Sequence, residues 1–163
     1  MIEWDAYHEA GHAFAATYLG AAVMSVTITP DNDDGPARTG DARIAWDHGR
    51  FSGQELARRM SLVALAGPVA EMLYRDEPRH PGFVPEWATD WKHAWEASAS
   101  TVPNERQRLA YLERLVFELQ DLLQRDSLWA AVAEIADQLL THEYLEQAEV
   151  DEIVRLWCTL ESH

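Results

Sequence analysis

The pattern H-E-x-x-H occupies positions 8 to 12 of the chain, as His8, Glu9, Ala10, Gly11 and His12. Residues four apart lie one above the other on a helix, so His8 and His12 can bind one metal ion while Glu9 borders the same face. Zinc lowers the pKa of a bound water to about 7, and a neighbouring carboxylate can take its proton and pass it to a leaving amine. The spacing therefore predicts a Zn2+ site for amide hydrolysis, with Glu9 as the general base.

The helix that carries this motif is apolar on nearly every face, which is typical of a helix buried in protein. His8, Glu9 and His12 are its main polar residues, and each would cost about 1–3 kcal/mol if buried without a partner. A metal ion with its water would satisfy all three. The alternative is two core histidines bonded to carbonyl groups and a glutamate that reaches solvent. Gly11 costs about 1 kcal/mol relative to alanine inside a helix, so we expect another backbone to pass close to it.

Length and composition restrict the class of protein. The 163 residues are enough for one domain, 1–163, with a core of its own. The net charge of −15 argues against a nucleic acid or an anionic membrane as partner and favours a peptide or protein. Cys158 is the only cysteine, so no internal disulfide is possible. We find no signal peptide and no run of about 18 apolar residues, and so expect a cytoplasmic protein.

Apolar spacing predicts a mainly α (α+β) fold. The first helix is predicted over residues 5–19, with Asp5 as its cap and Gly20 as its end. Alternation places Met24 on the same strand face as Val26 and Ile28. Strands are predicted at residues 22–29 and 42–46, with a loop between them at 31–41.

Ser52 and Glu55 form a capping box that predicts the start of a second helix. Pro68 falls inside that helix and predicts a kink or a break, because its ring crowds the carbonyl of Ala64. Further helices are predicted at 85 or 89 to 98, from 103 onwards, at 128–141 and at 149–160, and the proline-rich stretch 76–86 is the candidate for a mobile segment. The third helix carries a stripe of three tryptophans, which we interpret as core packing rather than a substrate platform: Trp87, Trp91 and Trp95.

Catalytic zinc usually takes three protein ligands and keeps one position for water, so His8 and His12 need a partner from elsewhere in the chain. Spacing alone does not choose between two carboxylates as the third ligand. Glu71 lies on the second predicted helix, and Asp90 lies at the start of the helix with the tryptophan stripe. Asp90 has an alternative role as a carboxylate that stabilises the N-terminus of its helix. His93, one turn after Asp90, is a further candidate for contact with the site.

Four blocks of sequence carry a resemblance to a known family: AYHEAGHA at 6–13, VTITP at 26–30, LAG at 65–67 with AE at 70–71, and ATDW at 88–91 with Ala94. In the same order, they resemble the peptidase domain of the FtsH-type ATP-dependent zinc proteases. The first block, around the motif, is specific, and the others are weak singly and moderate together. The likeness extends through positions between 135 and 153, so it spans nearly the whole chain.

In that family the two motif histidines and a downstream aspartate hold the metal, and the motif glutamate is the base. The resemblance therefore implies that His8, His12 and Asp90 bind zinc and that Glu9 activates water. It also implies a zincin-like helical domain with a small two- to three-stranded sheet and a C-terminal helical bundle. An edge strand would hold extended substrate beside the metal, and residues 23–29 or 42–46 are the candidates for it.

Three features differ from the family. The chain contains no G-x-x-x-x-G-K-[ST] loop and no apolar run long enough for a membrane, so we expect a peptidase without the family's ATPase and anchor. Pro68 stands where the family's helix usually continues. Trp95 and Ser98 occupy positions that the family commonly fills with Thr and Ala. The last two differences bear on the shape of the cleft more than on the metal.

The leading hypothesis is a stand-alone zinc-dependent endopeptidase that acts on peptides or unstructured protein segments. The alternative is a binding or regulatory module that keeps the fold without general protease activity. Glu9 favours the enzyme, because a structural site gains nothing from a base beside its water, and a structural zinc would more often include several cysteines. Within the enzyme class, a regulatory protease that cleaves a repressor is a further hypothesis. The sequence does not identify the substrate. It also leaves undecided whether the protein forms a homo-oligomer or acts with a separate partner protein such as an ATPase.

Overall fold

The structure is a computed structural model and describes residues 2–29 and 40–161. It is mainly helical with a small antiparallel sheet, which confirms the predicted fold class. Most of the predicted loop 31–41 lies outside the described residues, and its last residue is the first residue of the second strand. The elements, in chain order, are α1 (Ile2–Tyr18), β1 (Ala22–Thr27), β2 (Asp41–Ala45), α2 (Gly53–Arg75), two 3-10 turns (Pro81–Phe83 and Pro85–Trp87), α3 (Ala88–Ala97), α4 (Glu105–Leu123), α5 (Asp126–His142), β3 (Tyr144–Glu146) and α6 (Gln147–Glu161).

The sheet has the strand order β2-β1-β3, so β2 is an edge strand. The pairing between β1 and β2 shifts in register between Val23 and Ser25. These two residues pair with Ile44 and Arg43, which are consecutive in β2, so Met24 is an extra residue in β1. This bulge turns Met24 outward, where 53% of it is exposed. The prediction that Met24 shares a buried face with Val26 and Ile28 is therefore wrong for Met24. The third strand, β3, has only three residues, too few for a readable alternation.

The core centres on α1, which packs along α2 and α5. α1 and α2 approach each other closely at Gly11, because a Cβ on Gly11 would lie 2.5 Å from the carbonyl oxygen of Ala66 and 2.6 Å from the Cβ of Ala70. The expected close approach of another backbone is thus confirmed. The helix ends before Gly20, which has a φ of +96°, but it begins at Ile2, so Asp5 lies in its first turn and does not cap it.

Pro68 lies inside α2 without breaking it, since the helix runs continuously from Gly53 to Arg75. The fixed φ of proline suits a helix, and the cost is the lost hydrogen bond to the carbonyl of Ala64. Residues on both sides of Pro68 are fully buried in the core, and such packing supplies most helix stability in proteins. The predicted break is wrong because tertiary packing outweighs that one bond.

The side-chain hydrogen bonds of the predicted capping box do not form. Ser52 is the N-cap residue of α2, but its side chain accepts no capping hydrogen bond. The Glu55 carboxylate instead accepts a hydrogen bond from Arg59 Nε at 2.7 Å. The start of the helix was predicted correctly, although by an interaction that does not form.

The tryptophans pack in the core as predicted, although Trp87 lies in the 3-10 turn before α3 and not on the helix. Trp87 is buried in the core, and Trp91, Trp95 and Cys158 are partly buried against it. Trp87 donates to Glu71 of α2, and α3, which follows it, carries Asp90 in its first turn. Within the described parts of the chain, no helix is long and apolar enough to cross a membrane.

Replacing Gly11 with alanine should destabilise the protein. The added methyl group would displace the backbone of α2, and such overpacking costs about 1–3 kcal/mol, against the roughly 1 kcal/mol of helix propensity that alanine gains. Thermal unfolding should show a lower melting temperature. Gly49→Ala is the matched control, because Gly49 lies in an exposed turn where the nearest atom to an added Cβ is a side-chain oxygen at 3.2 Å. A Gly11→Ala variant as stable as the wild type would contradict this account of the α1–α2 contact.

Candidate metal centre

Three side chains converge where α1 meets the start of α3. His8 Nε2 lies 2.8 Å from Asp90 Oδ2, His12 Nε2 lies 3.3 Å from Asp90 Oδ1, and the two Nε2 atoms are 3.2 Å apart. All three ligand atoms lie within 4.8 Å of one another, close enough to hold one metal ion. The structure thus brings together His8, His12 and Asp90, the three residues that the resemblance implied.

The other nitrogen of each ring identifies the tautomer. His12 Nδ1 lies 2.8 Å from the carbonyl oxygen of Val63, and a carbonyl can only accept, so Nδ1 carries the proton. His8 Nδ1 lies 3.1 Å from Glu71 Oε1 and donates to that carboxylate in the same way. In each neutral ring the Nε2 atom is then an acceptor.

In this tautomeric state, two acceptor nitrogens and an ionised carboxylate face one another. A cation placed between them would satisfy all three at once. Two imidazole nitrogens and one carboxylate oxygen are a donor set that zinc and related divalent metals accept. The group could hold a metal ion, and its chemistry fits zinc without singling it out.

A proton can take the place of the metal in the metal-free protein. Burial alone would lower the pKa of His8, but hydrogen bonds to the Asp90 and Glu71 carboxylates outweigh it and raise the pKa to about 10. Burial opposes ionisation of Asp90, yet His12 and His8 hold the pKa of that carboxyl far below its usual range. The pKa of His12 is also raised: burial opposes its charge, but the Asp90 carboxylate outweighs burial. The site thus favours positive charge at its centre, and a metal and protons compete for it.

Glu71, the other candidate ligand, lies on the far side of the His8 ring from Asp90. Its Oε1 atom accepts from Trp87 Nε1 at 3.0 Å, and its Oε2 atom accepts from Arg75 Nη1 at 2.8 Å. Burial would raise the pKa of Glu71, but bonds from His8 and Arg75 lower it overall. An ionised, fixed carboxylate on Nδ1 holds the ring in position and makes Nε2 a better ligand. Glu71 therefore supports His8 and does not join the three ligand atoms.

Gly67 gives the His12 ring its space. A Cβ at position 67 would lie 2.2 Å from His12 Nε2, so a larger residue at this place would displace the imidazole. The motif spacing gave no signal for this requirement, and only the LAG block of the resemblance pointed to the position.

Glu9 lines a cleft of about 280 Å³ that reaches the same site. Its side chain packs against the residue before β2, since a Cβ on Gly40 would lie 2.6 Å from Glu9 Cγ. His93 also faces this cleft but is not part of the group of three ligand atoms. The remaining lining residues come from β2 and the segment after it, from α2 and from α3: Asp41, Ala42, Ile44, Trp46, Met60, Val63, Ala64 and Ala97, with His12 and Asp90.

Comparison with known proteins adds no family to this picture. No family model matches the sequence, and no curated protein matches it. The likeness to the FtsH-type peptidase domain therefore stays a prediction from the residues. The geometry of the site is the main ground for a functional proposal.

We predict that Asp90→Asn loses most of the zinc affinity, whereas Glu71→Gln weakens it about 10- to 100-fold, as loss of a supporting contact to a ligand does. Asparagine removes the anionic oxygen from between the two Nε2 atoms. Glutamine keeps an oxygen that can accept from His8 Nδ1 but loses its charge. Competition with a chelator measures the affinity, and melting temperatures without metal show whether each variant is folded. Unchanged affinity in Asp90→Asn, with loss in Glu71→Gln, would reverse the assignment of the two carboxylates.

Proposed function

We propose that this chain is a zinc-dependent endopeptidase that hydrolyses peptide bonds in peptides or unstructured protein segments. The observation that carries the proposal is the convergence of His8, His12 and Asp90 beside a cleft that Glu9 also lines. A structural metal site needs no general base and no open side. The resemblance to the FtsH-type peptidase domain supports the same roles for the same residues.

His8 Nε2, His12 Nε2 and one oxygen of Asp90 would hold the metal. When bound, zinc supplies a polarised carbonyl group and a water of lowered pKa. Glu9 takes a proton from the water while the water oxygen attacks the carbonyl carbon. When the carbon–nitrogen bond breaks, Glu9 returns that proton to the leaving amine nitrogen. His8 and His12 would keep their Nδ1 protons throughout, because those atoms donate to Glu71 and to the carbonyl of Val63.

An extended substrate has a place to bind along β2. This strand is at the edge of the sheet, and Ala42 and Ile44 of β2 line the cleft beside the metal ligands. Edge strands present unpaired backbone groups that can pair with another extended chain. Backbone pairing accepts many side-chain sequences but requires an extended segment. The substrate class is therefore set more by conformation than by sequence.

Glu9→Gln should bind zinc and remain folded while losing peptide hydrolysis. Glutamine has nearly the same shape but cannot accept a proton at neutral pH. Zinc content, melting temperature and cleavage of a quenched fluorescent peptide would be compared with the wild type. Full activity in Glu9→Gln would remove Glu9 from the mechanism. Loss of zinc in this variant would show that Glu9 has a structural role.

The wild type should cleave casein slowly and a compact, stable protein hardly at all. Global unfolding of a stable domain costs about 5–15 kcal/mol, so its extended segments are rarely exposed. Digests with and without zinc and a chelator, with Glu9→Gln as the inactive control, would measure this. If the zinc-loaded wild type cuts neither protein nor a diverse peptide library, general peptidase activity is excluded, and a binding module or a protease confined to one partner is left.

A further inference from the structure

Among the described residues that line the cleft, His93 is the one imidazole that the metal centre does not use. It is exposed on α3, one turn after Asp90, and lines the cleft together with Glu9, His12 and Asp90. His8 and His12 each use one nitrogen on an outer acceptor and direct the other to the metal position. Within the described residues, no hydrogen bond or ion pair engages the His93 ring. Its N–H group is available to a molecule in the cleft.

The composition of the cleft makes this donor distinctive. Its lining includes the buried residues Glu9, His12 and Asp90, which are 8%, 8% and 4% exposed. β2 and Trp46 after it supply part of the lining, and α2 and α3 supply another part. Among the described lining residues from α2 and α3, His93 is the only one whose side chain can donate a hydrogen bond, since Asp90 is a carboxylate and the others are apolar: Met60, Val63, Ala64 and Ala97.

A peptide along β2 would use one backbone edge to pair with the strand, which leaves its other edge for groups from α2 and α3. At the scissile bond, the carbonyl oxygen gains negative charge when water attacks the carbon. Donors placed to meet that charge contribute about 10²- to 10³-fold to the rate. Asp90 cannot serve, because an ionised carboxylate only accepts, and the proton that Glu9 takes from the water is needed by the leaving nitrogen. Trp46 is the other side-chain donor among the described lining residues, and it follows β2, the strand with which the peptide would pair.

We propose that His93 is a catalytic residue that donates a hydrogen bond to the carbonyl oxygen of the scissile peptide bond as that oxygen becomes anionic. This role rests on the proposed peptidase function. No proton leaves His93, because Glu9 alone carries the proton from the water to the leaving nitrogen. The bonds formed and broken are those of simple hydrolysis. His93 lowers the barrier through the hydrogen bond, which strengthens with the charge.

The test uses the zinc-loaded full chain with His93→Leu, which removes the donor, and His93→Asn, which keeps one. His142→Ala is the matched control, since His142 is exposed at the end of α5 and does not line the cleft. We expect His93→Leu to lower kcat about 10²-fold with little change in KM, His93→Asn to recover part of the loss, and His142→Ala to match the wild type. Zinc affinity and melting temperature should be the same in all four proteins.

A second measurement is binding of a phosphinic peptide, whose anionic tetrahedral group imitates the attacked carbonyl. Calorimetry should show weaker binding by His93→Leu than by the wild type, with His93→Asn between them. If the wild type cleaves peptides and His93→Leu does so equally well, the role of His93 is overturned while the peptidase function stands. If the wild type cleaves nothing, the peptidase function fails, and equal affinities of wild type and His93→Leu for the phosphinic peptide overturn the role of His93 as well. Loss of zinc from His93→Leu would also overturn it, by making His93 part of the metal centre.

Discussion

Three acceptors that face one another are the constraint on which this structure depends. His8 Nε2, His12 Nε2 and the Asp90 carboxylate lie 2.8 to 3.3 Å apart, and none of them can donate to another while both rings are neutral. His12 and Asp90 are buried, and the His8 side chain is only 12% exposed. A cation, whether a proton in the metal-free protein or a metal ion, satisfies all three at once. The arrangement favours a metal because both Nδ1 atoms already donate elsewhere.

The helices around the site are arranged to keep those acceptors in place. The carbonyl of Val63 and the carboxylate of Glu71 both come from α2, so the packing of α1 against α2 fixes both imidazole rings at once. That packing is possible only because Gly11 lets the helices approach and Gly67 leaves room for His12. Glu71 is held in turn by Arg75 and Trp87. The packing of α1 against α2 therefore contributes both to the stability of the fold and to the geometry of the ligands.

Local patterns in the sequence were enough to predict the helices and two of the three candidate metal ligands, His8 and His12. The i, i+4 spacing placed His8 and His12 on one helix face, and apolar patterns together with helix-end residues predicted each of the six helices in the described residues. Spacing could not choose between Glu71 and Asp90, because both contact His8, at opposite nitrogens, and only the packing of α2 and α3 decides which one faces the metal position. The bulge at Met24 and the short strand β3 depend on pairing between distant segments, which no local pattern records. The role of Gly67 was equally hidden, since it depends on a ring from another helix.

The most direct test of the account is to locate the metal itself. Crystals of the zinc-loaded protein, with diffraction data collected on both sides of the zinc absorption edge, would give an anomalous difference map. The account predicts one strong peak about 2.0–2.2 Å from His8 Nε2, His12 Nε2 and an oxygen of Asp90, with Glu71 still bound to His8 Nδ1. A fully loaded protein with no peak between these three residues, or with its zinc elsewhere, would contradict it.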